Sequence, residues 1–383
     1  MDISSFITII AGLAGILGFL YLILVGQKNI FDWWQDIKAS NRTKQKPVNF
    51  QSHPESLLIL ETVEHLGVIN VFRPTLTPDN ISAKVHKQAK LDFDDNMKVA
   101  FHELNRLKES QGKHPFYSNP RYRLIKPPHF QSGKKNFVLE LGEADFAYVA
   151  LLLDNDVDVS IKKYVRKKIH MVANQLPKHL QSFDSKINGL NEGQLGVQMV
   201  LITTDGYTLL RRRGQSVLEF SNAWDVSFSG YCGQNALLTT ESKQEELDIG
   251  VTVRFELERE IGIISADPRS IVFTGLHWSN LTGTAGVIGY WQIQASREEL
   301  ASCLNKKFPA GATVFETTEK ANEVYVWDNK NILVKLDGPI IAQALQKAEK
   351  SLSNNHPTIA PIARSSLLLA LSALGKSTDS LEN

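Results

Sequence analysis

Apolar positions fall along this chain in three rhythms, and each predicts a different kind of element. The first is unbroken. Ile7 to Val25 is a run of nineteen uncharged residues, ITIIAGLAGILGFLYLILV. At about 1.5 Å per residue such a helix crosses the ~30 Å hydrocarbon core of a bilayer, so residues 7–26 are expected to form a transmembrane helix. A cleaved leader is the rival reading. It would need a basic start and a small-x-small cleavage site, whereas Asp2 is the only charged side chain before the run and Gly26-Gln27-Lys28 follow it.

The second rhythm has apolar residues three and four apart, the mark of a helix with one buried stripe. Glu55 to Leu66 reads this way. So does Ile81 to Lys108, with Val85, Ala89, Phe93, Met97, Val99, Ala100, Leu104 and Leu107 in the stripe. The same spacing predicts helices over 249–261, Arg297 to Leu304, Ile340 to Leu352 and Ile359 to Leu374. The last is too short to span a bilayer and carries Pro361 and Arg364.

The third rhythm is strand-like. Phe137 to Asp154 reads as one or two strands, FVLEL and FAYVALLLD, with a turn at Gly142. Further strands are expected at 195–203, 207–213, 271–276, 285–295 and 323–336. Pro115, Pro120 and Pro127-Pro128 mark a boundary. The expected organisation is a short extracytoplasmic N-terminus (1–6), the membrane helix (7–26), a basic juxtamembrane linker (27–54) and a helical region (55–114). An accessory subdomain (115–190), an α+β domain with helices on a mixed sheet (191–337) and C-terminal helices (338–383) follow.

Charge adds an orientation. Lys28, Lys38, Arg42, Lys44 and Lys46 follow the apolar run and no Lys or Arg precedes it, which places the N-terminus outside and the C-terminal body in the cytoplasm. Trp33 and Trp34 suit the interface just past the span. Ala11/Gly15 and Ala14/Gly18 form small-x-x-x-small steps that would let two copies pack as a homodimer, although glycine is also simply common in membrane helices. Lys162, Lys163, Arg166, Lys167 and Lys168 form either a solvated helix face or a contact for anionic lipid heads.

Composition narrows the classes. The 383 residues are 43% apolar and 22% charged, an ordinary globular balance, and a net charge of +1 gives no reason to expect nucleic acid as a partner. Cys232 and Cys303 are the only cysteines, which fits a reducing compartment better than a disulfide framework. Cys232 has no His or basic neighbour in sequence to activate it as a nucleophile. The histidines form no zinc-protease pair, and no P-loop motif occurs.

The densest chemistry lies between 195 and 263. LGVQMVLITTDGYTLLRRRG gives strand, Asp205-Gly206 turn, strand and a basic run; WDVSFSGYCG contains Gly230; RFELEREIGI ends at Gly262. On that last helix Glu256 and Glu260 are four residues apart and share a face. Paired oxygen ligands of this kind hold Mg²⁺ or Mn²⁺ against a phosphate. Strand–turn–strand, glycine loop, acidic helix and terminal glycine together resemble the Nudix hydrolase family, whose signature is G-x5-E-x7-R-E-U-x-E-E-x-G-U. Glu256, Leu257, Glu260, Gly262 and Ile263 match it. Phe255 stands where the family has Arg, and Arg259 where it has the first Glu of the pair. The stretch from Gly230 to Gly262 is about eleven residues longer than the signature, the excess lying within Gly233 to Leu247.

The resemblance implies a Nudix-like mixed sheet packed by helices and a nucleotide-derived small molecule as ligand. It implies hydrolysis of a nucleoside-diphosphate-linked substrate, with Glu256 and Glu260 as ligands to Mg²⁺ or Mn²⁺. A loop glutamate, Glu246 or else Glu241 or Glu245, would complete the catalytic set. Gly230, Arg259 and one of the arginines ending the second strand, Arg212, would contact the ligand. Because Arg259 can neutralise a phosphate but cannot ligate a metal, a second expectation stands beside the first: a domain that binds or senses a nucleotide metabolite without cleaving it. Alternate strand residues face opposite ways, so Arg212 would face away from Arg211 and Arg213. Trp224 reads as core. Trp278, in GLHWSNLTG, either stacks on a ligand ring or packs internally, and the same holds for His277.

Overall fold

A ten-residue strand that pairs on both edges anchors the N-terminal part of the described chain. The structure is a computed structural model, and it describes residues 57–61, 67–126, 128–131, 136–177, 193–214, 222–239, 245–262, 266–279, 284–318, 322–328, 330–350, 359–376, 378 and 381. All fall within one compact unit, Val48–Asn383. The expected membrane helix at 7–26, its flanking tryptophans and the linker at 27–54 lie outside the described residues. Among those described, no helix is long and apolar enough to cross a membrane.

The first half of the chain contains β1 (Leu57–Glu61), β2 (Gly67–Leu76), β3 (Ile81–Val85), α1 (Asp95–Ser110), β4 (Pro120–Leu124), β5 (His129–Phe130), β6 (Phe137–Asp145), α2 (Phe146–Leu153) and α3 (Val159–Gln175). Next come β7 (Leu195–Ile202), β8 (Tyr207–Arg212), β9 (Trp224–Asp225), β10 (Phe228–Tyr231), β11 (Leu237–Thr239), β12 (Glu245–Leu247) and α4 (Ile249–Glu260). The remainder is β13 (Ile271–Ser279), β14 (Ala285–Gln292), α5 (Arg297–Lys307), β15 (Thr313–Glu316), β16 (Glu323–Trp327), β17 (Asn331–Lys335), α6 (Gly338–Lys350) and α7 (Pro361–Ala373).

The chain is therefore α+β, with three sheets. One runs β1-β2-β13-β14-β7-β10, a second β11-β12-β3-β6-β4 with β5 beside β6, and a third β15-β16-β17-β8-β9. The first two are mixed, because β7 lies parallel to β14 and β3 parallel to β6. One apolar core joins the first two sheets with α4 and α5, including Val197, Met199, Phe228, Val253 and Leu257. A second packs α6 and α7 with β7, β8 and β17, and a third joins α1, α2 and α3.

Several elements differ from the sequence reading. The helix expected over Glu55 to Leu66 is instead β1, paired antiparallel with β2 through Leu57↔Phe72 to Glu61↔Val68. LLILE is too short for its spacing to separate strand from helix, and pairing with the neighbouring β2 decides it. The long helix expected from Ile81 begins only at Asp95. Ala83 and Val85 alternate into the core as β3, and Asp94 caps α1 by accepting from Met97 N at 3.1 Å. Its buried stripe is Met97, Phe101, Leu104 and Lys108, while Val99 and Leu107 are exposed. FAYVALLL is the helix α2, started by Asp145 accepting from Ala147 N at 2.8 Å. Pairing also crosses the expected divisions at 114 and 190. β2 lies against β13, and β3 lies between β12 and β6. The helices expected from 195 onward and the strands β7, β8, β13 and β14 occur within a few residues of their expected bounds. The single strand expected at 323–336 is instead the antiparallel pair β16 and β17, and the short strands β9 to β12 and β15 are not among those expected. The basic run of 162–168 lies on α3, with Val165 and Ile169 buried and Lys163 and Lys167 exposed.

Asp94 gives this region a pH dependence. Burial works against its charge, but Lys168 at 2.8 Å, the Tyr164 hydroxyl at 2.6 Å and the Met97 amide outweigh that and lower its pKa to about 2. A depressed carboxyl pKa stabilises the fold fully above the unfolded value of 3.8, and the gain is lost as pH falls toward about 2. Asp94→Asn is expected to flatten the acid limb of a denaturation series in that window. An unchanged acid limb would remove the assignment.

Candidate functional site

Gly230 is where the sheet and α4 come closest. It sits in β10, opposite Val197 of β7, and a Cβ there would overlap the carboxyl carbon and both oxygens of Glu256. The residue expected to open a phosphate loop thus lies in a strand, and its missing side chain makes room for a buried carboxylate. α4 holds that carboxylate in place. Asp248 caps it by accepting from Val251 N at 3.1 Å, and Ile249, Val253 and Leu257 bury its inner face. Gly262 ends it in the left-handed region at φ +87, its amide bonded to Leu257 O at 3.2 Å and Glu258 O at 3.0 Å.

Beside this contact is a cavity of about 670 Å³, within the ordinary range for small-molecule sites. Its charged lining is Glu256, Arg259, Arg121 and Arg213, and Phe255 and Gly230 also border it. Three guanidiniums against one carboxylate favour an anion. Arg121 comes from the second sheet, brought in by a bridge between its backbone and Gly233. Its Nε is buried with no hydrogen-bond partner, and burial lowers its pKa against the opposing pull of Glu256. Arg213 Nη1 donates to Asp225 Oδ2 at 2.5 Å, and the buried Asp225 also accepts from Gln198, another lining residue.

Glu256 and Glu260 do come together, but around an arginine. Arg259 Nη2 lies 2.5 Å from Glu256 Oε2 and 2.7 Å from Glu260 Oε1. Arg259 Nε donates to the same Glu256 oxygen at 2.9 Å. The other Glu260 oxygen pairs with Arg211. Burial pushes the Glu256 carboxyl up despite Arg259, whereas Arg211, Arg259 and Lys307 overcome burial and hold Glu260 below its usual range.

The other expected residues fall elsewhere. Glu246 lies on β12, paired across with Lys84 and Leu238, away from the cavity lining. Glu245 ion-pairs with Lys87 at 2.6 Å, and Glu241 lies outside the described residues. Arg212 does not line the cavity; its Nε donates to Asn222 O at 2.9 Å. The strand's alternation puts Arg211 and Arg213 on the site face instead. Trp278 lies in β13 opposite Ala285, a lining residue, and its side chain is outside the described residues. Trp224 is core, as expected. His277 is buried, and burial drives its pKa down to about 3, so it stays neutral. Cys232 is also buried, its thiol pushed up to about 12, which leaves no nucleophile there.

The donor set does not fit a divalent cation. Such an ion needs several free oxygens at about 2.0–2.6 Å. Here the same guanidinium nitrogen touches both carboxylates, and among the described residues no group of three or more His, Cys, Asp or Glu could hold a metal.

No family model matches the chain, and no curated protein matches it. Among solved structures it is similar to DR0079 from Deinococcus radiodurans, with a TM-score of 0.19 and 17% identity. That match covers 30% of this chain and 64% of the other, so less than two thirds of that structure's length is spanned. A likeness this small assigns neither fold nor activity.

Proposed function

We propose that this chain is a membrane-anchored, Nudix-like module that binds a nucleotide-derived anion in the cavity beside Gly230 and does not cleave it. The observation that carries the reading is the lining of three arginines, one of which, Arg259, ties up the carboxylates of Glu256 and Glu260 on α4. A metal-assisted hydrolase needs those carboxylates for its cation, and a guanidinium neither ligates metal nor takes a proton from water. It does bind phosphate well. The Nudix-like part is supported by the strand–turn–strand of β7 and β8, by Gly230 packed on the acidic helix and by Gly262 at that helix's end. The membrane part rests on the apolar run of 7–25 alone.

The test is a panel of nucleoside-diphosphate conjugates offered to the full-length protein with and without Mg²⁺ or Mn²⁺. A rise in melting temperature that needs no metal, with no product on chromatography, is expected. Metal-dependent product that disappears in Glu260→Gln would instead establish a hydrolase.

A further inference from the structure

We infer that Arg259 occupies the position of a divalent cation between Glu256 and Glu260, so that the chain carries its own counter-charge and binds its anion without metal. This rests on the reading of the cavity as an anion site. The geometry is specific: one nitrogen, Nη2, is shared by Glu256 Oε2 at 2.5 Å and Glu260 Oε1 at 2.7 Å. These are charge-assisted hydrogen-bond distances, longer than the ~2.0–2.1 Å of Mg²⁺, but the nitrogen lies between the same two oxygens that a bridging cation would take. An ordinary surface ion pair between helix neighbours engages one carboxylate and leaves both partners wet. Here the Glu256 side chain is only 7% exposed.

The surrounding charges reinforce the point. Arg211 holds the second Glu260 oxygen, and Lys307 Nζ bonds the carbonyls of both Arg259 and Glu260 at the helix end. Arg121 adds a further positive charge facing Glu256. A divalent ion entering this field would meet four cationic groups and two already neutralised carboxylates. The same groups would attract an anion. Arg259 uses Nε and Nη2 for its glutamates and borders the cavity with its side chain about half exposed at 52%. A guanidinium forked this way can hold carboxylates on one edge and a phosphate oxygen on the other.

The test uses the full-length protein with two probes, Mn²⁺ alone, followed by the spectroscopic signal of the free ion, and inorganic pyrophosphate, followed by calorimetry. Wild type is expected to leave Mn²⁺ free and to bind pyrophosphate equally in chelator and in Mg²⁺. Arg259→Ala is expected to take up Mn²⁺, and the further change Glu260→Gln to abolish that uptake. In chelator Arg259→Ala should bind pyrophosphate about tenfold more weakly, and Mg²⁺ should restore it. Arg259→Lys, which keeps the charge, should take up no Mn²⁺, and melting curves identify any variant that fails to fold. Wild-type Mn²⁺ uptake that Glu260→Gln abolishes would overturn the inference, as would a folded Arg259→Ala that takes up none. If wild type binds no pyrophosphate while Arg259→Ala gains Mn²⁺, the anion-site reading fails and the arginine's place between the carboxylates stands.

Discussion

Gly230→Val is expected to destabilise the protein by about 1–3 kcal/mol, the range for forcing extra volume into a filled interior, and to abolish ligand binding. The Cβ of the new side chain would already occupy space now filled by the Glu256 carboxyl group. That group cannot swing freely outward, because Arg259 holds its Oε2 through two nitrogens and Leu257 and Val253 anchor the helix beneath it. Either α4 lifts from β10 or the carboxylate is driven from its partner. Chemical denaturation measures the loss. Glu256→Ala added to Gly230→Val removes the overlap and should recover part of it, since the two residues act through one contact. Wild-type stability in the single variant would show that α4 does not sit on β10 as described.

Arg121→Met is expected to act in opposite directions on binding and stability. Affinity for an anionic ligand should fall about tenfold to a hundredfold, the worth of hydrogen bonds to a charged group. The unliganded protein should melt at a higher temperature. Arg121 is partly buried, its Nε has no partner, and its Nη1 makes only a long hydrogen bond of 3.4 Å to Pro120 O. Methionine keeps most of the volume and removes the desolvated charge. A residue that costs stability while unliganded and supports binding is the ordinary pattern of a functional site. Thermal melting and calorimetry on the same preparation check both halves, and unchanged affinity would exclude Arg121 from the site.

The two residues differ in how visible they were beforehand. Gly230, Glu256 and Arg259 were legible because they belong to a local motif, read from a strand and a helix close in sequence. The motif also fixed the end of α4 at Gly262. Arg121 was not legible. It reaches the cavity through a backbone bridge to Gly233 from another sheet, and nothing in PRYRL separates Arg121 at the site from Arg123, which is fully buried. Arg212 is not separable from its neighbours in the sequence, because alternation says which residues share a face and not which face meets α4. From 195 onward β7, β8, β13 and β14 are readable because their apolar runs are long and turns separate them, whereas β9 to β12 and β15 are two to four residues long. β1 and β3 are not readable, because each is five residues long; β1 takes its identity from pairing with β2, and β3 from β6 and β12 far along the chain.

The central claim is that an arginine-lined cavity binds a nucleotide-derived anion without metal. Calorimetric titration of the full-length protein with a nucleoside-diphosphate conjugate in excess chelator tests it most directly. Saturable binding of unchanged strength when Mg²⁺ replaces the chelator is the predicted result. Binding that appears only with Mg²⁺ would contradict it.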